Sequence, residues 1–247
     1  MKTVYPLALL LALSISLESL KSKNEVPTDD IPAVYKKIYG ATSITSDGKF
    51  LTIKSNGLPD HKSVYYEKSD TLYEPFSGTT FNGNTFRKNP NKIVKMNYTF
   101  KIPLNPQMSG AHRPTPLGPI GIAVNGVPFF NQYAGPNRPL SFEMNSFDRY
   151  WGHPARQGDY HYHVEPIYLT TVKATKSSLL GFLLDGFPVY GPDEDNKAVS
   201  EDVLDEFHGH FGMTSDYPKG IYHYHITQKD PYINGNGFYG SPGSVSR

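Results

Sequence analysis

Residues 121–130 read GIAVNGVPFF and residues 181–190 read GFLLDGFPVY, and each stretch is followed further on by the tetrad Tyr-His-Tyr-His, at 160–163 and again at 222–225. In both stretches a glycine and three apolar residues run into Asn125-Gly126 or Asp185-Gly186, with Pro128 or Pro188 and an aromatic behind. Asn-Gly and Asp-Gly tolerate positive φ, so an apolar run, this dipeptide and a second apolar run predict a β-hairpin with a two-residue turn. Between hairpin and tetrad, FDRYWGH (147–153) aligns with LDEFHGH (204–210), which matches Asp148 with Asp205, Gly152 with Gly209 and His153 with His210. Val203, Leu204 and Phe207 fall at helical spacing ahead of Gly209, predicting a short helix that the glycine closes. One unit therefore occurs twice, over 121–163 and 181–225: hairpin, short helical turn, Gly-His, loop, Tyr-His-Tyr-His strand. Such a duplication predicts two similar units about a pseudo-twofold axis.

Outward from the repeats the text stays β-like. Asp47-Gly48 divides two alternating runs in TSITSDGKFLTIKSNG, and from Ile93 to Ile102 apolar and polar residues alternate with a period of two. That period belongs to a strand with one buried face. The 22 Gly and 21 Pro are spread along the chain, as turns between short strands require. The expected fold is mainly β: a single antiparallel sandwich- or barrel-like domain over 38–247, with an internal pseudo-twofold duplication and short helical turns. Ahead of it, Lys2 and the uncharged run Val4–Leu17 are expected to form a signal peptide over 1–19, and polar residues 20–37 a linker or arm. The apolar run is shorter than the ~20 residues of a membrane span, so no stable span is expected. The protein is expected to be secreted or periplasmic.

Composition excludes several functions. Lys+Arg 24 against Asp+Glu 23 leaves no basic excess to follow a phosphate backbone, so nucleic acid is not an expected partner. The chain has no cysteine, hence no disulfide framework and no thiolate nucleophile or ligand. No Gly-x-Ser-x-Gly elbow, phosphate loop or dinucleotide fingerprint is present. A metal site here must be built from imidazole and oxygen donors.

Of nine histidines, six lie at matched positions in the repeats: His153, His161, His163, His210, His223 and His225. Side chains two apart on a strand share a face, so His161 with His163, and His223 with His225, project from one side. Their tyrosine neighbours project from the other, where they are expected to pack in the core with their hydroxyls hydrogen-bonded. Each His-x-His pair, joined by His153 or His210 from the preceding loop, makes a three-nitrogen set suited to a divalent transition metal, Cu²⁺ or Zn²⁺. Asp148 and Asp205 are expected to accept from the ligating rings and fix their tautomers, or to ligate themselves. The competing reading is that all six histidines are hydrogen-bonded core residues, copied by the duplication whatever their role. The acidic run 193–196 reads as a solvated turn or as oxygen ligands for Ca²⁺, and His61 as an outlying candidate.

The doubled tetrad, the GIAVNGVPFF and GFLLDGFPVYG segments, the Gly-His elements and NGLPDH (56–61) together resemble the YHYH-domain proteins over about residues 45–240. The resemblance implies one folded unit, mostly exported relatives and no particular reaction. Two functions are carried forward. One is an exported Cu- or Zn-binding protein, for storage, sensing or, with an open fourth ligand position that activates water, catalysis. The other is a non-catalytic module that binds a small molecule, a glycan or a cell-surface partner through aromatics such as those of YYEKSDTLYEPF (65–76), with structural histidines.

Overall fold

The computed structural model describes Met1, residues 31–81 and residues 83–247. The expected signal peptide and residues 20–30 of the expected arm lie outside these, Met1 apart. Residues 31–37 are packed: Ile31, Val34 and Tyr35 are buried, and Tyr35–Lys37 form one 3₁₀ turn.

Alternation translates directly into the first sheet. Strands β1 (Ala41–Ser46) and β2 (Phe50–Ser55) form the hairpin predicted around Asp47-Gly48. Gly48 takes φ 83°, and the Asp47 carboxylate accepts the N–H groups of Lys49 and Phe50, which satisfies the turn. A two-stranded ribbon follows, β3 (Thr80–Phe81) with β4 (Asn84–Thr85). Strand β5 (Tyr98–Pro103) buries Tyr98, Phe100 and Ile102 and pairs with β2. The alternation read from Ile93 is realised as strand only from Tyr98; Val94 is 50% exposed. Its other edge pairs with β18 (Ser244–Ser246), giving the order β1-β2-β5-β18.

The repeats build the second sheet. The first contributes β6 (Pro119–Ala123), β7 (Pro128–Phe130), β8 (Tyr133–Ala134), β9 (Arg138–Pro139), β10 (Gly152–Pro154) and β11 (Tyr160–Tyr162). The second contributes β12 (Leu179–Leu183), β13 (Pro188–Tyr190), β14 (Asp193–Glu194), β15 (Lys197–Ala198), β16 (Gly209–Gly212) and β17 (Ile221–His225). Strands β8–β9 and β14–β15 are small side ribbons, and the rest line up as β10-β11-β7-β6-β12-β13-β17-β16. That order is a palindrome of matched strands. At its centre Ala123 faces Gly181, Ile122 faces Phe182 and Gly121 faces Leu183, so equivalent residues exchange places across a pseudo-twofold axis.

Four details depart from the sequence reading. The sheet is open, with β10 and β16 as free edges, so no barrel closes. It is also mixed: β7 runs parallel to β11 and β13 parallel to β17, because each tetrad strand returns through a long connection to the far side of its own hairpin. The Asn-Gly and Asp-Gly turns carry three loop residues rather than two. Ala123 accepts from Gly126 N–H and donates to Val127 O, with Gly126 at φ 84°; Leu183, Gly186 (φ 86°) and Phe187 repeat the arrangement. The glycine thus supplies the left-handed residue of a bulged hairpin. The helix expected before Gly209 shrinks to one 3₁₀ turn, Glu201–Val203, capped by Ser200, and Gly209 instead opens β16.

The two sheets share one core. Leu51, Ile53, Phe100 and Ile102 of the first belong to the same buried cluster as Ile122, Phe129, Phe182 and Val189 of the second. Tyr65 and Tyr66 are packed inside as well, their hydroxyls donating to Ser146 O and Pro59 O. Of the aromatics expected to form a surface over 65–76, Tyr65 and Tyr66 are therefore core residues, while Tyr73 and Phe76 are half-buried against the core. Among the described residues no helix is long and apolar enough to cross a membrane.

Candidate metal centres

Each repeat interlocks through its tyrosines. Tyr160 Oη donates to the buried Asp148 carboxylate at 2.9 Å, and Tyr222 Oη to Asp205 at 2.8 Å. The glycine of each Gly-His element lies flat under that ring: a Cβ on Gly152 or Gly209 would stand 2.5 Å from the tyrosine oxygen. The second tyrosine of each tetrad reaches the hairpin turn, Tyr162 to Asn125 Nδ2 at 3.1 Å and Tyr224 to Asp185 at 2.6 Å. All four tyrosines are buried with their hydroxyls satisfied, which fixes the strand face and sends the histidines to the other side.

Asp148 and Asp205 consequently sit on the tyrosine face. Their partners are tyrosine hydroxyls, Ser63 Oγ for Asp148, and backbone N–H groups of their own turns; no hydrogen bond runs from either to a clustered histidine. The expectation that they orient or join the ligands fails because the turn holding them passes behind the sheet. His61 lies there too, between Tyr162 Oη and Lys62 O.

On the histidine face the six rings gather in two groups. His153, on β10, lies directly across from His161 on β11, with His163 two residues on, so the third ring comes from a paired strand rather than a loop. Register does the same for His210 and His223 on β16 and β17, with His225 beside them. In the first group His161 Nε2 is 3.1 Å from His153 Nε2 and 2.9 Å from His163 Nε2. In the second, His210 Nε2 is 3.1 Å from His225 Nε2. Each group also holds a carboxylate: Glu143 Oε2 lies 3.5 and 3.8 Å from His153 and His163 Nε2, and Glu194 lies 3.5 and 3.7 Å from His210 and His223 Nε2. The four donor atoms of each set fall within 4.8 Å of one another. Two donors about 2.1 Å from a shared tetrahedral ion stand about 3.4 Å apart, so the sets have the size that a transition metal needs.

Tautomers sharpen the point. His161 Nδ1 faces Asp159 O at 2.9 Å and His163 Nδ1 faces Asn131 O at 2.5 Å; a carbonyl only accepts, so both Nδ1 atoms carry the proton. Ser146 Oγ donates to Glu143 O and thus accepts from His153 Nδ1 at 2.6 Å. His223 and His225 repeat the pattern on Ile221 O and Gly191 O. Every one of these five rings points an unprotonated Nε2 at its neighbours. In the first group three lone pairs converge within hydrogen-bonding distance with no proton to share, and in the second the buried His223 Nε2 has no hydrogen-bond partner. Burial holds the rings neutral: it pulls His161 down to about 4 and His225 to about 3, and it depresses His153 and His163 well below the ordinary imidazole value, helped by the neighbouring rings. Glu143 is raised, chiefly by burial. Neutral imidazoles with free Nε2 atoms are the form that binds metal.

The two glutamates escape a reading based on the repeat. The alignment of 147–153 with 204–210 sets Glu143 opposite Ser200, and that of 121 with 181 sets Glu194 opposite Ala134. Glu143 follows a 3₁₀ turn, Leu140–Phe142, whereas Glu194 stands on β14, next to the Asp195-Asn196 turn, where both residues take positive φ. The acidic run 193–196 is thus a tight hairpin that places one of its acids beside the imidazoles.

Fold and site together define an internally duplicated β-protein with two clusters of three histidines and one glutamate that could each hold a metal ion. The chain belongs to the YHYH protein family, whose model matches residues 99–201 and 193–237. No curated protein and no solved structure matches it.

Proposed function

We propose that this is an exported protein that binds two transition-metal ions, Zn²⁺ or Cu²⁺, one in each repeat. His153, His161, His163 and Glu143 hold the first; His210, His223, His225 and Glu194 hold the second. The observation that carries this reading is the convergence of the Nε2 lone pairs, with the opposite nitrogens committed to protein acceptors. Buried acceptors that face one another repel, and a shared cation turns that cost into stabilisation. Copying alone explains six matched histidines; it does not explain a glutamate at both centres from non-equivalent positions, so the chemistry of the site was completed separately in each repeat. Both ions accept imidazole and carboxylate ligands, with Cu²⁺ the tighter binder of a given set. The bound ion supplies positive charge and Lewis acidity; with three imidazoles and a glutamate around it, an outside ligand joins as a fifth donor or displaces the carboxylate. Export rests on the uncharged run Val4–Leu17 behind Lys2.

Elemental analysis of untagged protein tests the reading. The expected content is two equivalents of zinc or copper per chain, falling to one in His161→Ala and in His223→Ala and to none when both are combined. Wild-type protein that stays metal-free after incubation with each ion contradicts it.

A further inference from the structure

The two centres open onto unlike surroundings. Beside Glu143, His153, His161 and His163 lies a cleft of about 650 Å³, within the range of roughly 300–1,000 Å³ typical of small-molecule sites. The pocket beside His223 and His225 is about 210 Å³, too small for such a guest. Charge separates them as clearly. Arg87, Lys88 and Arg156 line the larger cleft, where Glu143 is the only acid, whereas Asp193, Glu194 and Asp195 line the smaller one. Lys88 donates to Val64 O, but among the described residues no carboxylate pairs with Arg87 or Arg156. Apolar surface gathers at the same mouth. Leu117, Tyr133 and Phe142 remain 48%, 42% and 60% exposed there, and Phe130 is stacked on His161 at 3.9 Å.

Resting on the metal reading above, we propose that the cleft at the first centre binds a small organic oxyanion, while the second centre holds its ion alone. The anion's charged end, a carboxylate or phosphate group, lies between the ion and the guanidinium groups of Arg87 and Arg156, which offer forked donors to such a group. Its apolar body lies against Leu117, Tyr133 and Phe142. The acidic lining of the second pocket attracts cations and repels this ligand.

Calorimetric titration of zinc-loaded protein with benzoate and with phenyl phosphate tests the proposal, with metal content measured on every sample. One equivalent of at least one probe is expected to bind. Arg87→Gln and Arg156→Gln, both exposed, should each weaken it about tenfold at unchanged metal content. His161→Ala should abolish binding, and His223→Ala should leave it intact. Loaded protein that ignores both probes, or binds them equally well in both arginine variants, overturns the anion site alone; protein that takes up no metal removes both readings.

Discussion

Ile122 and Phe182 face each other across the centre of the eight-stranded sheet, each at the same place in its own repeat. Both side chains are fully buried, in the cluster that unites the two sheets. The eight strands are laid out symmetrically from this pair, and with them the two histidine groups near opposite ends of the sheet.

Truncating this pair removes packing from both repeats at once. Ile122→Ala should cost about 2–5 kcal/mol and Phe182→Ala about 3–5 kcal/mol. Because the two are direct cross-strand partners in one core cluster, the double variant should fall short of the sum. Chemical denaturation monitored by circular dichroism checks this, and strict additivity would argue against direct packing across the axis.

Gly152→Ala should destabilise the protein strongly while leaving the ligands in place. Its Cβ would stand 2.5 Å from the Tyr160 ring, with Asp148 holding that ring from the far side. Overpacking of this kind costs typically about 1–3 kcal/mol. Tyr160→Phe removes a donor from the buried carboxylate and should cost about 1–3 kcal/mol with metal content retained. A thermal melt for each variant, with metal measured in parallel, separates the tyrosine face from the histidine face.

The carboxylates should matter to affinity more than to folding. Glu143→Gln should weaken the first centre and Glu194→Gln the second, each by more than the roughly 10–100-fold that outer-shell partners contribute. Competition against a chromogenic chelator measures both. Unchanged affinity in either variant would reduce that glutamate to a bystander.

Stability of the metal-free protein should fall with pH in a defined window. An unfolded imidazole takes up its proton near 6.5, whereas burial lowers the folded His161 to about 4 and His225 to about 3. Below about 6.5 the unfolded chain therefore binds more protons than the folded one, and acidification favours unfolding. Full stability holds above about 6.5, declines as pH falls toward those lower values, and changes no further from these groups beneath them. His161 alone accounts for about 3 kcal/mol over its interval. Urea midpoints from pH 7.5 to 3 follow the effect; His161→Ala should flatten the curve, and a wild-type profile already flat would refute the assignment.

Much of this architecture was legible in the residues, for identifiable reasons. Period-two alternation marked β1, β2 and β5, and the doubled tetrad put His161 with His163, and His223 with His225, on one face because side-chain direction on a strand follows position alone. Long-range geometry was not legible. Nothing local reveals that β7 and β11 pair in parallel, or that the turn carrying Asp148 lies behind the sheet, where the tyrosine hydroxyls rather than the histidines reach it. Glu143 stayed hidden because it breaks the repeat, and Glu194 was marked only within the acidic run 193–196, weighed for Ca²⁺ and not for a centre shared with imidazoles. The one available signal was the Asp195-Asn196 turn, whose tight geometry projects Glu194 from its strand.

X-ray absorption at the metal edge probes the central claim most directly, since it counts rings around the ion itself. The predicted spectrum of the loaded protein has a nitrogen/oxygen shell at about 2.0–2.1 Å, with outer-shell scattering from three imidazoles per ion. A first shell without imidazole scattering would contradict metal binding by these histidines, leaving them as packed, hydrogen-bonded residues of a duplicated scaffold.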